Sequence, residues 1–433
     1  MIQRPSMSSE PGMFILILLS RWLWSGPEGS WWYDDAMTWI TVLVVLAWVV
    51  WFLVNRHLRV KALKRPNGRP RSPLLKRTIQ VKRELSSQYL RPGFSTNIHA
   101  VGIGMLGDGR NYCIQVFIND ANQELWVGSG AAALPGDYRG VPVVPFEMPR
   151  AGFLSNEGSD PTWNKYAQGI REPQEVIVGG ISGANTNLAR ESGTIGYFCT
   201  RKSRLPRRKE ILLLSNSHVF ADLRREKVDE SDLIVQPSPG ERASNRAIGT
   251  LVDFSALNFA ADMSAPNHID AAIAKLFAPQ PHQPLIPLIG AVKGYVETKD
   301  VEIGETVRKF GRTTGYTEGQ LFSIYLDIWI RYDRTGQSAF FQDQFLVEPA
   351  SPKFTKFVSG GDSGSLLVDA KQYVIGLIFA GMATLPESLS PAAEFTPPAK
   401  NDPAVNQIKK IESYGVANPI REVLDGLRID LLV

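Results

Sequence analysis

VSGGDSGSLLVD, Val358 to Asp369, sets one serine, Ser363, directly after an acidic residue and among three nearby glycines, just ahead of a strand-like apolar run. Gly, Asp and Ser are the residues that tight turns use, each for its own backbone reason, so the string alone fits a turn as well as a nucleophile. A serine hydroxyl is a weak nucleophile at neutral pH. It needs a base within hydrogen-bond reach, and that base needs an acid to fix its tautomer. Whether the stretch is catalytic depends on what the rest of the chain supplies.

Histidine is scarce: His57, His99, His218, His268 and His282 are the full set. His57 sits beside a long apolar run, His282 lies in a proline-rich loop, and His99 opens a predicted hairpin. His218 differs, because it follows the apolar strand ILLLSNS and leads into VFAD, which puts an imidazole at the end of a strand. The acid candidate is Asp270 in HIDAAIAKL, at the mouth of a buried strand, where a carboxylate is costly unless paired. His268 lies two residues earlier on the same face, a poor geometry for orienting a ring, so Asp270 is expected to pair with His218.

The order His218, Asp270, Ser363, carried by LLLSNSHVF, HIDAAIAKL and SGGDSGSLLV at spacings of 52 and 93 residues, resembles the trypsin/chymotrypsin family of serine peptidases. VRKFGRTTGYTEGQL, Val307 to Leu321, is similar to the Gly-Arg-Thr-Thr-Gly strand and turn of bacterial trypsin-like peptidases. YVIGLIFAG, after the serine, matches the segment that lines the substrate cleft in that family. The resemblance covers about Val176 to Val433. It implies a double β-barrel peptidase domain in which Ser363 attacks a peptide carbonyl, His218 is the general base, and Asp270 orients the imidazole. It also implies an oxyanion hole from the backbone N–H groups of Gly361 and Ser363, and a substrate cleft involving Phe357, Phe379, Ala380 and Gly381. Phe357 stands where enzymes with basic specificity carry an aspartate, so cleavage after Lys or Arg is not implied, and a small or apolar preference is expected. IVGG, Ile177 to Gly180, is similar to the activating N-terminus of the family's zymogens, which would pair with Asp362. Val176 precedes it instead of Arg or Lys, so proteolytic activation is not expected.

With 433 residues the chain is long enough for two to three structural units, and 44% hydrophobic with 21% charged residues marks most of it as globular. Two cysteines, Cys113 and Cys199, cannot build a multi-bridge framework. The net charge of +4 is local in origin. AMTWITVLVVLAWVVWFLV, residues 36–54, carries no charge over the length of a membrane span, and Trp31, Trp32 and Tyr33 precede it. Arg56, Arg59, Lys61, Lys64, Arg65, Arg69, Arg71, Lys76, Arg77, Lys82 and Arg83 follow it, against Arg4 and Arg21 before it. The positive-inside bias predicts a single-pass inner or plasma membrane protein with its catalytic domain in the cytoplasm. The basic run over 56–83 is expected to meet anionic lipid headgroups rather than nucleic acid. A shorter apolar stretch, Met13 to Trp24, reads as a signal core, an interfacial segment or half of a hairpin.

The expected organisation is therefore an N-terminal segment at 1–35, the span at 36–54 and a basic linker at 55–73. A small α/β unit at 74–171 comes next, then the β-rich peptidase domain at 176–433. LLKRTIQVKRELSSQY (Leu74 to Tyr89) has helical spacing, and Ile98 to Asp120 reads as a hairpin divided at Gly107, Asp108 and Gly109. Gly140 to Met148 is a further strand. From Val176 onward, short strands broken by Gly, Pro, Asn and Asp predict a sandwich or barrel pair, closed by a helix near Ile420. The partner is a protein or peptide substrate. No metal spacing and no Walker-type loop is present, so no cofactor is expected. A catalytically silent scaffold and a gated signalling or defence protease are the other readings that this pattern admits.

Overall fold

The computed structural model describes residues 41–51, 54, 63–65, 72–93, 97–107, 109–120, 126–127, 132–152, 169–188, 192–202, 210–241, 244–260, 262–332, 335–350, 354, 356–383, 408–411 and 413–433. The chain divides into two units, Met1–Lys61 and Ala62–Val433. In the first, residues 41–51 are helical, and Leu43, Leu46, Trp48, Val50 and Trp51 are exposed. Among the described residues no helix is long and apolar enough to cross a membrane, so the expected span at 36–54 finds no support. Residues 36–40 and 52–53, and the apolar stretch at 13–24, lie outside the described residues.

The second unit is built on two sheets. In the larger, of twelve strands, the pairing order Thr306–Gly311, Leu366–Asp369, Tyr373–Ala383, Ser413–Pro419, Gln337–Pro349, Gly315–Tyr332 returns to Thr306–Gly311. These six strands close a ring, which removes the exposed edges that an open sheet would leave. In the smaller sheet, Tyr197–Arg201, Leu212–Ser215, Ala272–Leu276, Arg246–Phe254 and Leu233–Gln236 pair in sequence, and Leu233–Gln236 meets Ala184–Asn185. Just ahead of it, Ile181 and Ser182 pair with Ile195 and Thr194, bringing this set of strands back to its start. Alternation along each strand turns its apolar residues inward. Ile195, Tyr197, Leu212, Leu214, Ile234, Ile248 and Ile273 fill the core of the smaller sheet, while Val307, Leu321, Phe345, Val347, Ile375 and Ile378 belong to that of the larger.

The helix Pro73–Tyr89 and the hairpin form as the sequence predicts. Ser72 caps the helix by accepting the Leu74 N–H at 3.2 Å, with Pro at the first turn, where its missing donor is not needed. Leu75, Ile79, Leu85 and Tyr89 recur at helical spacing on the buried side. Ile98–Met105 and Tyr112–Ile118 pair antiparallel. The first of these strands also pairs with Gly315–Tyr332, so the hairpin continues the twelve-stranded sheet instead of forming a sheet of its own.

Upstream of that helix, residues 63–65 lie against the larger sheet as a strap. The Arg65 N–H donates to Tyr295 O at 2.9 Å, and its guanidinium reaches Asp300 O at 2.5 Å, Asp369 Oδ2 at 3.2 Å and the Glu305 carboxylate. Lys64 pairs with Glu297 at 2.5 Å. Gly294, at φ +140°, lets Leu63 O pass where any Cβ would collide with it. On the helix, Lys82 is fully buried and paired with Asp327 Oδ1 at 2.7 Å. Arg65 and Lys82, two of the cations expected to face lipid headgroups, are thus engaged within the fold.

Candidate active site

Sequence-distant residues meet because the strands that carry them are neighbours. Leu212–Ser215 pairs antiparallel with Ala272–Leu276, with Ser215 opposite Ala272. Leaving Ser215, the chain turns into the short helix Ser217–Phe220, which holds His218. Asp270 enters two residues before Ala272, at the same end of the sheet. His218 Nδ1 lies 2.5 Å from Asp270 Oδ2, and the His218 N–H donates to Oδ1 at 3.2 Å. Both residues are buried, at 1% and 0% exposure. Around them, Asn216 Nδ2 donates to Asp270 O at 2.6 Å, the Asp270 N–H donates to Asn418 Oδ1 at 3.0 Å, and the Tyr332 hydroxyl donates to Asp270 Oδ2 at 2.8 Å. Of these, the Tyr332 hydroxyl reaches the carboxylate itself, while Asn216 and Asn418 hold the Asp270 backbone.

The other described histidines have different surroundings. His99 Nε2 lies 2.7 Å from Met148 O, and burial lowers its pKa to about 4. His268 is exposed, and His282 Nδ1 meets Gln280 O at 3.1 Å. Among the described residues, His218 alone of the histidines faces a carboxylate.

Ser363 comes from the other sheet, in the turn before Leu366–Asp369. It is 2% exposed, and its hydroxyl donates to Phe379 O at 3.4 Å. Its carbonyl accepts from the Thr194 N–H at 2.8 Å, and Thr194 O accepts in turn from Ser215 Oγ at 2.8 Å. The serine turn is therefore tied through Thr194 to Ser215, which lies three residues before His218 in the chain. Gly364, at φ +97°, has no room for a Cβ beside Thr194 O and Ser215 Oγ. Gly361, at φ +92°, would place a Cβ 2.7 Å from Thr313 Oγ1 and 2.8 Å from Arg312 Nη1. Among the described residues, neither the Gly361 nor the Ser363 N–H donates to a protein acceptor.

Asp362 explains the Gly-Arg-Thr-Thr-Gly stretch. It is fully buried and accepts from the N–H groups of Thr313 at 2.8 Å, Thr314 at 3.1 Å and Ser359 at 2.9 Å, and from Thr314 Oγ1 at 2.8 Å. Its cation is Lys309, also fully buried, with Nζ 3.2 Å from Oδ2. Burial lowers the Lys309 pKa, and the Asp362 charge opposes that. Gly311 leaves the space that the carboxylate occupies. Ile177, the residue that resembled an activating terminus, instead donates its N–H to Pro281 O at 2.9 Å within a continuous chain. Arg312 turns away to Glu241, Nε to Oε1 2.5 Å.

Phe357 sits in the core: it is fully buried, its carbonyl accepts from Thr317 Oγ1 at 2.8 Å, and its ring packs beside Gly319 and Gly415. Phe379, Ala380 and Gly381 are buried along the strand that passes Ser363. Lys309, Tyr332 and Asn418 escaped the sequence reading. Lys309 left a trace, since alternation in TVRKFG places it on the inward face with Val307. Tyr332 and Asn418 left none, because their partners are remote in the chain.

Residues 232–385 match the model of peptidase family S64, a segment that contains Asp270 and Ser363 and stops short of His218. No curated protein matches the chain in sequence. Among solved structures, protease A of Thermobifida fusca is 16% identical, with 60% of this chain and 99% of that one covered and a TM-score of 0.36. The Nocardiopsis protease is 12% identical, over 59% and 99% of the two chains, with a TM-score of 0.36. Cellulomonas bogoriensis chymotrypsin is 13% identical, over 59% and 98%, with a TM-score of 0.34. On its His–Asp–Ser order and the S64 match, the chain resembles the trypsin/chymotrypsin-like serine peptidases.

Proposed function

We propose that this protein is a serine endopeptidase in which Ser363 is the nucleophile, His218 the general base and Asp270 the orienting acid. The observation that carries the reading is the buried His218–Asp270 pair at 2.5 Å, with Ser363 O bonded to Thr194, whose own carbonyl is bonded to Ser215, three residues before His218 in the chain. Ser363 attacks the peptide carbonyl as His218 takes its proton, and the oxyanion forms against the N–H groups of Gly361 and Ser363. The imidazolium, stabilised by Asp270, returns the proton to the leaving amine. The resulting acyl-enzyme is then hydrolysed by water activated in the same way. Lys309 supplies the positive charge that Asp362 requires, so the serine turn is set without cleavage before Ile177.

Labelling of the full-length chain with a fluorophosphonate probe tests the reading. It is expected to be strong in the wild type and absent in Ser363→Ala and His218→Ala. Folded wild type that takes no label, or label that survives Ser363→Ala, would sink it in favour of a silent scaffold.

Membrane anchorage through 36–54, with a cytoplasmic catalytic domain, is a separate part of this proposal and rests on apolar composition and the positive flank. Sedimentation of the chain with membranes after carbonate washing, and its loss on deletion of 36–54, is the expected result. Recovery of the intact chain in the wash would refute it.

A further inference from the structure

We infer that Tyr332 is a positioning residue of the catalytic centre, whose hydroxyl holds the Asp270 carboxylate, and through it His218, from the sheet that carries Ser363. The inference rests on the peptidase reading above.

Asp270 Oδ2 takes two hydrogen bonds, from His218 Nδ1 at 2.5 Å and from the Tyr332 hydroxyl at 2.8 Å. The carboxylate has no exposure to water, so rotation about its side-chain bond is governed by these donors and by the His218 N–H on Oδ1. Tyr332 is itself held tightly. Its ring is nearly buried, with Phe259 at 5.5 Å, Phe341 at 6.4 Å and the His218 imidazole edge-on at 6.1 Å. Burial, and then the Asp270 charge, raises its pKa well above the ordinary phenol value, which keeps the proton on the oxygen. The phenol is therefore a permanent donor.

The element that delivers it matters as much. Gly315–Tyr332 is an eighteen-residue strand. The turn that leads into it, Thr313 and Thr314, grips Asp362, the neighbour of the nucleophile. Its last residue grips Asp270. One strand with its leading turn thus touches both halves of the site, at the neighbour of the serine through the turn and at the acid by its last residue. Gln344, on the adjacent strand, and Asn418, on the strand beyond it, reinforce the second contact. Asn418 Oδ1 receives the Asp270 N–H, Asn418 Nδ2 donates to Gln344 Oε1 at 2.7 Å, and Gln344 Nε2 donates to His268 O at 3.0 Å. The base and acid grow from the smaller sheet, but their alignment is set from the larger one.

The sign of the effect follows from charge. A hydrogen bond from Tyr332 draws electron density from Oδ2, so its loss leaves more negative charge facing the imidazole and favours the imidazolium. Tyr332→Phe keeps the ring and its packing and removes only the hydroxyl. The measurement is the second-order rate of fluorophosphonate labelling of the full chain from about pH 5 to 9, normalised to the amount of labelled enzyme at completion. Tyr332→Phe is expected to label about 5- to 20-fold more slowly at neutral pH, with the acid limb of the profile displaced to higher pH. A rate and limb equal to those of the wild type would overturn the inference while leaving the peptidase reading intact. A slower rate with an unmoved limb would also overturn it, since that is what a packing role alone produces. Wild type that never labels would overturn both together.

Discussion

Asp362 and Lys309 form a fully buried ion pair directly beside Ser363. An ion pair taken out of water returns its desolvation cost only if the remaining donors and acceptors are satisfied, and here four further donors converge on the carboxylate. Removing one partner leaves the other charged and buried. Lys309→Met is therefore expected to lower stability by about 3 kcal/mol in urea unfolding, and to slow fluorophosphonate labelling of whatever remains folded. Unchanged labelling would mean that the amide donors alone set the turn. At Gly361 the argument is steric: Gly361→Ala must accommodate a positive φ and a crowded Arg312, so reduced labelling is expected from a chain that is destabilised by about 1–2 kcal/mol. The three catalytic candidates were legible in the sequence because residue type, order and strand context restrict them. Lys309 was half legible, as a lysine at an inward register, but which acid it answers depends on a fold that brings 309 to 362.

Periodicity made a helix over Leu74 to Tyr89 readable, since its apolar positions recur at helical spacing, and the structure starts it one residue earlier, at Pro73, behind the Ser72 cap. What periodicity could not show is the sheet it covers. Leu85 is completely buried in a cluster with Ile98, Val101, Ile114 and Val116, strands that continue the twelve-stranded sheet. Leu85→Ala is expected to cost about 2–5 kcal/mol, measured by chemical denaturation. If the helix and hairpin unfold together with the two large sheets, the transition stays single. A separate early transition would show that they form an independent unit. The strand Gly315–Tyr332 starts earlier than its apolar run at Gln320 suggests. Gly315, Thr317 and Gly319 read as turn formers, yet they pair in register with Gly311, Lys309 and Val307. Glycine is tolerated there because partners pass close: a Cβ at Gly319 would lie 2.6 Å from Glu348 O. Close backbone approach leaves no hydrophobic signature, which is why the first five residues of the strand were hidden.

Across the whole molecule, stability should depend on pH through a histidine that does not face a carboxylate. His99 has its pKa lowered to about 4 by burial, whereas an unfolded chain would titrate it near the ordinary value of about 6.5. The native state then binds fewer protons than the unfolded state between those two values. The contribution is fully present above pH of about 6.5 and is lost progressively as pH falls toward 4, by a few kcal/mol at most. Urea midpoints are expected to fall over that window, and His99→Gln should flatten the slope. An unaltered slope would assign the acid sensitivity to carboxylates. The strap at 63–65 carries a different consequence for the molecule as a whole. Arg65 is bonded to Asp369, the last residue of the strand that begins three residues beyond Ser363, and to Glu305 and Asp300 beside it. The strap is thus a clasp: Leu63 at Gly294, Lys64 on Glu297 and Arg65 on Asp300, Glu305 and Asp369 tie one short segment both to residues 294–305 and to the strand Leu366–Asp369, so the two are expected to loosen together when Arg65 is lost.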